Sequence, residues 1–259
     1  MGLIHRHLRR EIDLLWMMTQ KQITLQYKRT YLGILWSLLN PLLFALILYI
    51  AFTIVLAIKK EDFSLFLLSG LFPWTWFSNS VSASTVSLIA NKGLIKKFPF
   101  PKHFLLSAGI LSESVHFLVS IPIILLLAYY YGKSASILWL VGIPILFITQ
   151  FIITMGVSLA VSVINVYFRD FQFIVSFLLN LLFWLTPIIY QFETIPERYR
   201  FLFLYFNPLT SLIGSWRELF MFNTIRWNWL TMAVLGSIVI FIFGLLIFQR
   251  FNRSLDEIL

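Results

Sequence analysis

The alternation of long apolar runs with short polar segments predicts a bundle of helices sized for a lipid bilayer. Residues 31–58 carry no charge over 28 positions, and a helical crossing needs about 20. Five further runs follow, giving predicted spans at 31–58, 63–89, 104–131, 140–164, 171–191 and 228–248. The uncharged stretch 134–168 is too long for one crossing. Gly142 and Pro144 are expected to separate an interfacial start from the fourth span, and Pro187 falls near the outer end of the fifth. Asn40-Pro41 lies inside the first span, where neighbouring helices can satisfy the carbonyl a proline frees.

Two segments break the pattern. Residues 1–30 are charged throughout, yet at 100° per residue Leu8, Ile12, Leu15, Trp16, Ile23 and Tyr27 fall on one side and Arg6, Arg10, Asp13, Lys21 and Lys28 on the other. This is the pattern of a helix lying at the membrane interface rather than crossing it. A soluble helix packed on a partner has the same pattern, and the two are compatible. Residues 193–226 should be external, but 201–216 are apolar and interrupted by Asn207-Pro208. They read as two half-helices re-entering the outer leaflet, which requires burial against protein or a cavity. The fold class is therefore all-α integral membrane: six transmembrane helices, an N-terminal amphipathic interface helix and two re-entrant outer half-helices between spans five and six, which the family resemblance given below would make gate helices.

Charge sets the orientation. Thirteen Lys or Arg fall in the segments assigned inside: six in 1–32, four in 91–103, and Arg169, Arg250 and Arg253. Seven fall outside: Lys59, Lys60, Lys133, Arg198, Arg200, Arg217 and Arg226. The excess places both termini in the cytoplasm. The inner loop at 91–103 is basic (Lys92, Lys96, Lys97, Lys102), and Pro99 and Pro101 stop a helix from running through it. Lys92, Gly93, Leu94, Lys96, Lys97, Phe98, Pro99, Phe100 and Pro101 thus form a cationic knob on a stiff elbow, suited to being pushed by a cytosolic partner.

Composition agrees: 59% of residues are hydrophobic and 12% charged, with a mean hydropathy of +0.87. The net charge of +9 is accounted for by a basic cytoplasmic face next to anionic lipid, without nucleic acid. No cysteine is present, which excludes disulfides, thiolate metal sites and a cysteine nucleophile. The charged N-terminus does not read as a cleaved signal peptide.

Little in the sequence points to catalysis. The chain has no P-loop signature, and its four histidines show no metal-ligand spacing. Glu113 is the only acidic residue inside a predicted span. His116 is three positions on, and Gly109 and Ser120 share its face. Intramembrane ionisable groups usually mark function, but a mutually bonded Glu/His pair that fixes helix packing is an equally simple reading. Arg169 and Asp170 at the inner end of span four read as an ion pair or helix cap. Trp74 and Trp76 are either interface anchors or part of a sugar path, since flat amphipathic rings offer apolar faces without a deep binding minimum.

Several stretches together resemble one family, the membrane subunits of ABC exporters for lipid-linked polysaccharides, and among them the O-antigen permeases most. They are YLGILWSLLNP (31–41), SGLFPWTWFSNS (69–80), the basic FPFP loop, NVYFRD (165–170), TPIIY (186–190) and YFNPLT (205–210), in family order and over nearly the whole chain.

The resemblance implies a homodimer served by two copies of a separate P-loop ATPase that carries ATP and Mg. The chain itself would be a non-enzymatic transport subunit without a cofactor. It implies that residues 91–103 are the coupling segment and 1–30 the interface helix, and that a gate at Asn207 and Pro208 closes the exit. It also implies an undecaprenyl-linked polysaccharide moving across the bacterial inner membrane; the aromatic residues Tyr31, Trp36, Trp74, Trp76, Phe183, Trp184 and Tyr190 are the ones expected along its path. Capsule or wall teichoic acid export, a drug or lipid exporter, a passive channel, and a membrane transferase using Glu113 and His116 are the alternatives.

Overall fold

The computed structural model describes residues 2–28, 31–33, 35–55, 62–98, 100–133, 136–252 and 255, with side chains from Arg9 onward apart from Tyr27. Every element among the described residues is helical. They are α1 (Gly2–Tyr27), α2 (Leu35–Tyr49, continued as a π-helical turn over Ile50–Val55), α3 (Phe63–Ala90), α4 (Lys92–Lys97), α5 (His103–Tyr130) and α6 (Leu138–Tyr167). Then come α7 (Phe171–Leu185), a 3-10 turn (Phe192–Thr194), α8 (Glu197–Phe206), α9 (Pro208–Arg217, continued by a π turn over Glu218–Phe222) and α10 (Trp227–Asn252).

Four of these helices are long and apolar enough to cross a membrane: α2 with its π turn, α5, α6 and α10. The chain is a multi-pass membrane protein. Two more helices fall short by that measure for different reasons. α3 has 28 residues, about 42 Å at 1.5 Å each, but serines and Asn79 dilute its apolar run. α7 is apolar but has 15 residues, about 22 Å against a hydrocarbon core of about 30 Å.

α3 is the axis of the bundle, packed by α2, α5, α6, α7 and α9. Its small residues explain why: Ser69, Gly70, Ser80 and Ser84 are buried, and small side chains let membrane helices approach closely. The same device joins α6 to α10. A Cβ on Gly156 would lie 2.6 Å from the Cα of Phe241, and one on Gly244 would fall within van der Waals overlap of the Gly156 carbonyl.

The structure corrects four expectations. Gly142 and Pro144 do not divide the fourth run, because α6 is continuous from Leu138. Pro144 lies in its second turn and removes a single backbone bond, while Gly142 seats the side chain of Leu219. The fifth helix ends at Leu185, six residues early. Thr186 is extended (φ −103°, ψ 133°), the conformation a following proline imposes.

The apolar side of α1 is split. Ile12 and Trp16 are exposed at 58% and 61%, whereas Leu15, Met18, Thr19 and Gln22 are covered where α1 packs along α5. The helix thus has a protein face and a separate outward face. Finally, Arg217 is not an external charge but a buried one, 8% exposed.

Candidate functional site

The side of α3 between α2 and α7 is open. Two adjoining cavities lie there, of about 350 Å³ and 340 Å³, sharing Phe44 of α2 and Thr75 of α3. Aromatic rings and uncharged polar groups alternate along them. Trp36, Asn40 and Asn79 line the first; Trp74, Ser82, Asn180 and Phe183 line the second. The polar members Asn40, Asn79, Ser82, Ser176 and Asn180 are exposed.

The helical spacing of α3 produces this groove. Trp74, Ser78 and Ser82 recur at intervals of four and so project along one side. Trp74 packs on Phe183 of α7 (ring centroids 5.8 Å), which in turn meets Phe44 of α2 (5.9 Å).

Four of the seven aromatic residues expected on the path meet here: Trp36, Trp74, Trp76 and Phe183. Trp76 is largely core. It stacks on Phe117 (5.2 Å) and Phe147 (4.7 Å), and its indole N–H donates to the Ile110 carbonyl (3.2 Å). Tyr31 is fully exposed and Trp184 is 57% exposed. Tyr190 donates its hydroxyl proton to the Trp184 carbonyl at 2.9 Å, closing the turn after α7.

At one end of the groove sits Glu113, and the expected Glu/His pair is corrected there. Glu113 and His116 are bridged rather than directly bonded. The Gln26 amide of α1 donates to Glu113 Oε1 (3.2 Å) and offers its own oxygen to His116 Nε2 (3.2 Å). Asn79 of α3 donates to Glu113 Oε2 (3.4 Å). Neither amide stands out in sequence, although Gln22 and Gln26 share a face of α1 at i, i+4.

Below α3, α4 carries the basic elbow. Lys92, Gly93, Lys96, Lys97, Phe98 and Pro101 are exposed, while Leu94 and Phe100 pack on the core around Leu88 and Leu105. Lys102 donates to the Asn252 carbonyl (3.3 Å), tying the elbow to α10. Pro99 lies outside the described residues, as does the side chain of Arg6. Arg10 and Lys21 are exposed on α1, and Lys28 is exposed in the turn after it. Arg169 and Asp170 are exposed, and Asp170 makes no side-chain cap to α7. The cap comes from Asn165, whose Oδ1 accepts from the Gln172 N–H (3.0 Å).

On the opposite side, α8 and α9 form a helical pair hinged at Asn207. Its side chain caps α9 by accepting from the Leu209 N–H (3.2 Å) and donates to the Thr186 hydroxyl (2.9 Å). Pro208 starts α9 at a first-turn position, where no backbone donor is needed. Arg217, at the end of α9, donates to the carbonyls of Pro187 (2.8 Å) and Ile188 (2.7 Å), and its guanidinium lies 3.7 Å over the Phe66 ring. It therefore satisfies the backbone groups that the break after α7 releases.

Comparison with known proteins gives consistent matches. The family model for ABC-2 type transporters matches residues 13–221. An O-antigen export system permease protein RfbA of Klebsiella pneumoniae is 40% identical over 247 residues, 95% of each chain. RfbA of Myxococcus xanthus is 35% identical over 205 residues, 78% of each chain. The polysialic acid transport protein KpsM of Escherichia coli is more distant, 26% identical over 200 residues, covering 76% of this chain and 77% of its own.

Proposed function

Because this chain belongs to the ABC-2 type transporter family as a permease subunit, we propose that it exports a lipid-linked O-antigen-type polysaccharide across the bacterial inner membrane. It works as a homodimer driven by two copies of a separate ATPase, which bind ATP and Mg. Six helices cross the membrane, α2, α3, α5, α6, α7 and α10, with both termini cytoplasmic. The pair α8–α9 dips into the outer leaflet as a gate. The partner ATPase docks on the α4 elbow and the exposed face of α1.

One observation carries the reading: the groove on α3 presents Asn40, Asn79, Ser82, Ser176 and Asn180 outward. Asn79 donates to Glu113 and Ser176 to the Gln172 carbonyl, but each exposed polar atom left without a bond would cost several kcal/mol in hydrocarbon, so this face belongs against water or protein. Flanking residues of α2 and α7, such as Leu43, Ile47, Phe173 and Phe177, are exposed and apolar. A second copy seated on those flanks encloses the two grooves as one hydrated, aromatic-lined channel. Such a wall suits sugar rings, which stack on flat faces and exchange hydrogen bonds with amides.

The groove also separates this reading from a transferase. Glu113 and His116 are engaged by amides of α1 and α3 at one end of it, and its remaining wall offers no charged group among the described residues. Removing the gene should abolish surface polysaccharide while lipid-linked polymer accumulates inside. Purification in mild detergent should give two copies of this chain with two of a P-loop ATPase, whose hydrolysis the lipid-linked polymer stimulates. A monomer that recovers no ATPase, together with normal surface polymer in the deletion strain, would overturn the proposal.

A further inference from the structure

Gln26 stands between two cavities. On one side is the groove cavity of about 350 Å³, reaching Asn40 and Thr75. On the other is a second cavity of about 390 Å³ beneath α1, lined by Gln22, Ser84, Ser87 and Ser112. Gln26 and Glu113 are the two residues that line both. Gln26 is itself exposed, and its hydrogen bonds to Glu113 and His116 mark the boundary at which the two clefts meet.

The second cavity has a lining of polar side chains. Ser87 and Ser112 are 8% and 3% exposed, and both hydroxyls lack a hydrogen-bond partner. Buried hydroxyls in this state are unusual, because each forgoes the bond it would make in water. Among the described residues no Lys or Arg lines the cavity, and Glu113 is the one carboxylate there. A phosphate would meet repulsion there without a compensating cation. A neutral polyol, which donates to Glu113, would not.

We propose that the two cavities are halves of a single passage within one protomer, that it admits neutral hydroxylated ligands such as sugar rings and rejects anions, and that Gln26 is its latch. Because Gln26 sits on the interface helix, withdrawing α1 from α5 breaks the two bonds and joins the halves. The latch places the movement of a surface helix in control of a polar route to the aromatic groove. The sugar as occupant rests on the export reading; the passage, its selectivity and the latch rest on the geometry alone.

The natural absence of cysteine makes the test direct. Single cysteines are placed in the full-length chain at Ser112 in the second cavity, at Thr75 in the groove cavity, and at Lys96 to define the face on which α4 lies. Reagents are added from the face where Lys96→Cys reacts. Two thiol reagents of similar size are used, a neutral glucosyl methanethiosulfonate and the anionic sulfonatoethyl methanethiosulfonate, with rates normalised to an exposed cysteine at Gln20.

At Ser112→Cys the neutral reagent should react about tenfold faster than the anionic one, since a nearby carboxylate repels the second anion. At Thr75→Cys the neutral reagent should react at the basal rate that the open groove allows while Gln26 is intact. It should react roughly tenfold faster in Gln26→Ala, the change expected when two hydrogen bonds that hold the boundary closed are removed. Gln20→Ala on the same helix should leave that rate unchanged. Equal rates for the two reagents, no reaction at Ser112→Cys, or a Thr75→Cys rate indifferent to Gln26 would overturn the proposal.

These assays need neither polymer nor ATPase, so a negative result removes the passage and leaves the export reading to its own test.

Discussion

Arg217 gives the sharpest test of how the outer end of the bundle is held. Its guanidinium reaches two carbonyls, at 2.8 Å and 2.7 Å, and lies over Phe66. Replacing it with methionine removes the charge, whose burial is itself costly, so the loss is smaller than the sum of the bonds. What remains is two buried carbonyls left without donors, at about 1–3 kcal/mol each, and a lost cation–π contact worth about 2 kcal/mol where desolvated. After the relief of desolvation we expect Arg217→Met to cost about 2–4 kcal/mol. For a chain of this size that is about 5–15 °C in the midpoint of a thermal aggregation scan in detergent. Because such unfolding is irreversible, variants must be compared at one scan rate. Arg217→Lys should fall between, since a single ammonium cannot bridge both carbonyls with the geometry of a planar fork. A monodisperse Arg217→Met within about 2 °C of wild type, or Lys no better than Met, would refute the clamp.

Gly156→Leu should prevent assembly of the chain, because α6 and α10 cannot separate enough to admit a side chain against the Phe241 backbone; loss of a monodisperse peak on size exclusion is the readout. Gln150→Leu should cost about 1–3 kcal/mol, since Gln150 accepts from the Trp216 indole (2.6 Å) and donates to the Pro73 carbonyl (2.6 Å); a thermal scan that also includes Trp216→Phe should show the two losses to be less than additive. Reversing Lys92, Lys96 and Lys97 to glutamate should leave stability within about 0.5 kcal/mol, because all three are exposed, yet eliminate copurified ATPase. Retention of the ATPase would remove α4 from the docking surface.

The helical framework was legible because an uncharged run of 20 or more residues has few alternatives in any protein. The breaks were harder to read. Pro41, Pro73, Pro122 and Pro144 all lie inside helices, whereas Pro187 ends one. Local sequence does not separate the two cases; tertiary partners do. The break at Pro187 is supplied with donors by Arg217, 30 positions away, and Thr186 by Asn207, 21 positions away. A charge count scores Arg217 as external, although its place within SLIGSWRELF, an otherwise largely apolar stretch, was a signal of burial. Helical periodicity found the position of Glu113 and His116 on one face but not their partners, since Gln26 lies 87 residues from Glu113 along the chain. Among the aromatics, spacing could not distinguish Trp74, which lines the groove, from Trp76, whose rings are spent on the core.

The two ends of the molecule share one physical device, and it bears on how a push at the base could reach the exit. At the base, Gln26 of α1 bonds Glu113 and His116 of α5, bonds of the kind worth about 0.6 kcal/mol each on average between membrane helices, beside the packing of α1 along α5. The two bonds alone are weak enough for a displacement of α1 to break. At the exit, α7 is joined to α9 through Arg217 on two carbonyls and Asn207 on a hydroxyl, a much stronger joint that should survive the same motion. A displacement of α7 would therefore carry α9 with it, while a displacement of α1 would first release Gln26. On the export reading proposed above, the unequal strength of the joints would order the movement: the α1 contact would yield before the α8–α9 pair shifts, and a polar route would open at one end while the other stays closed.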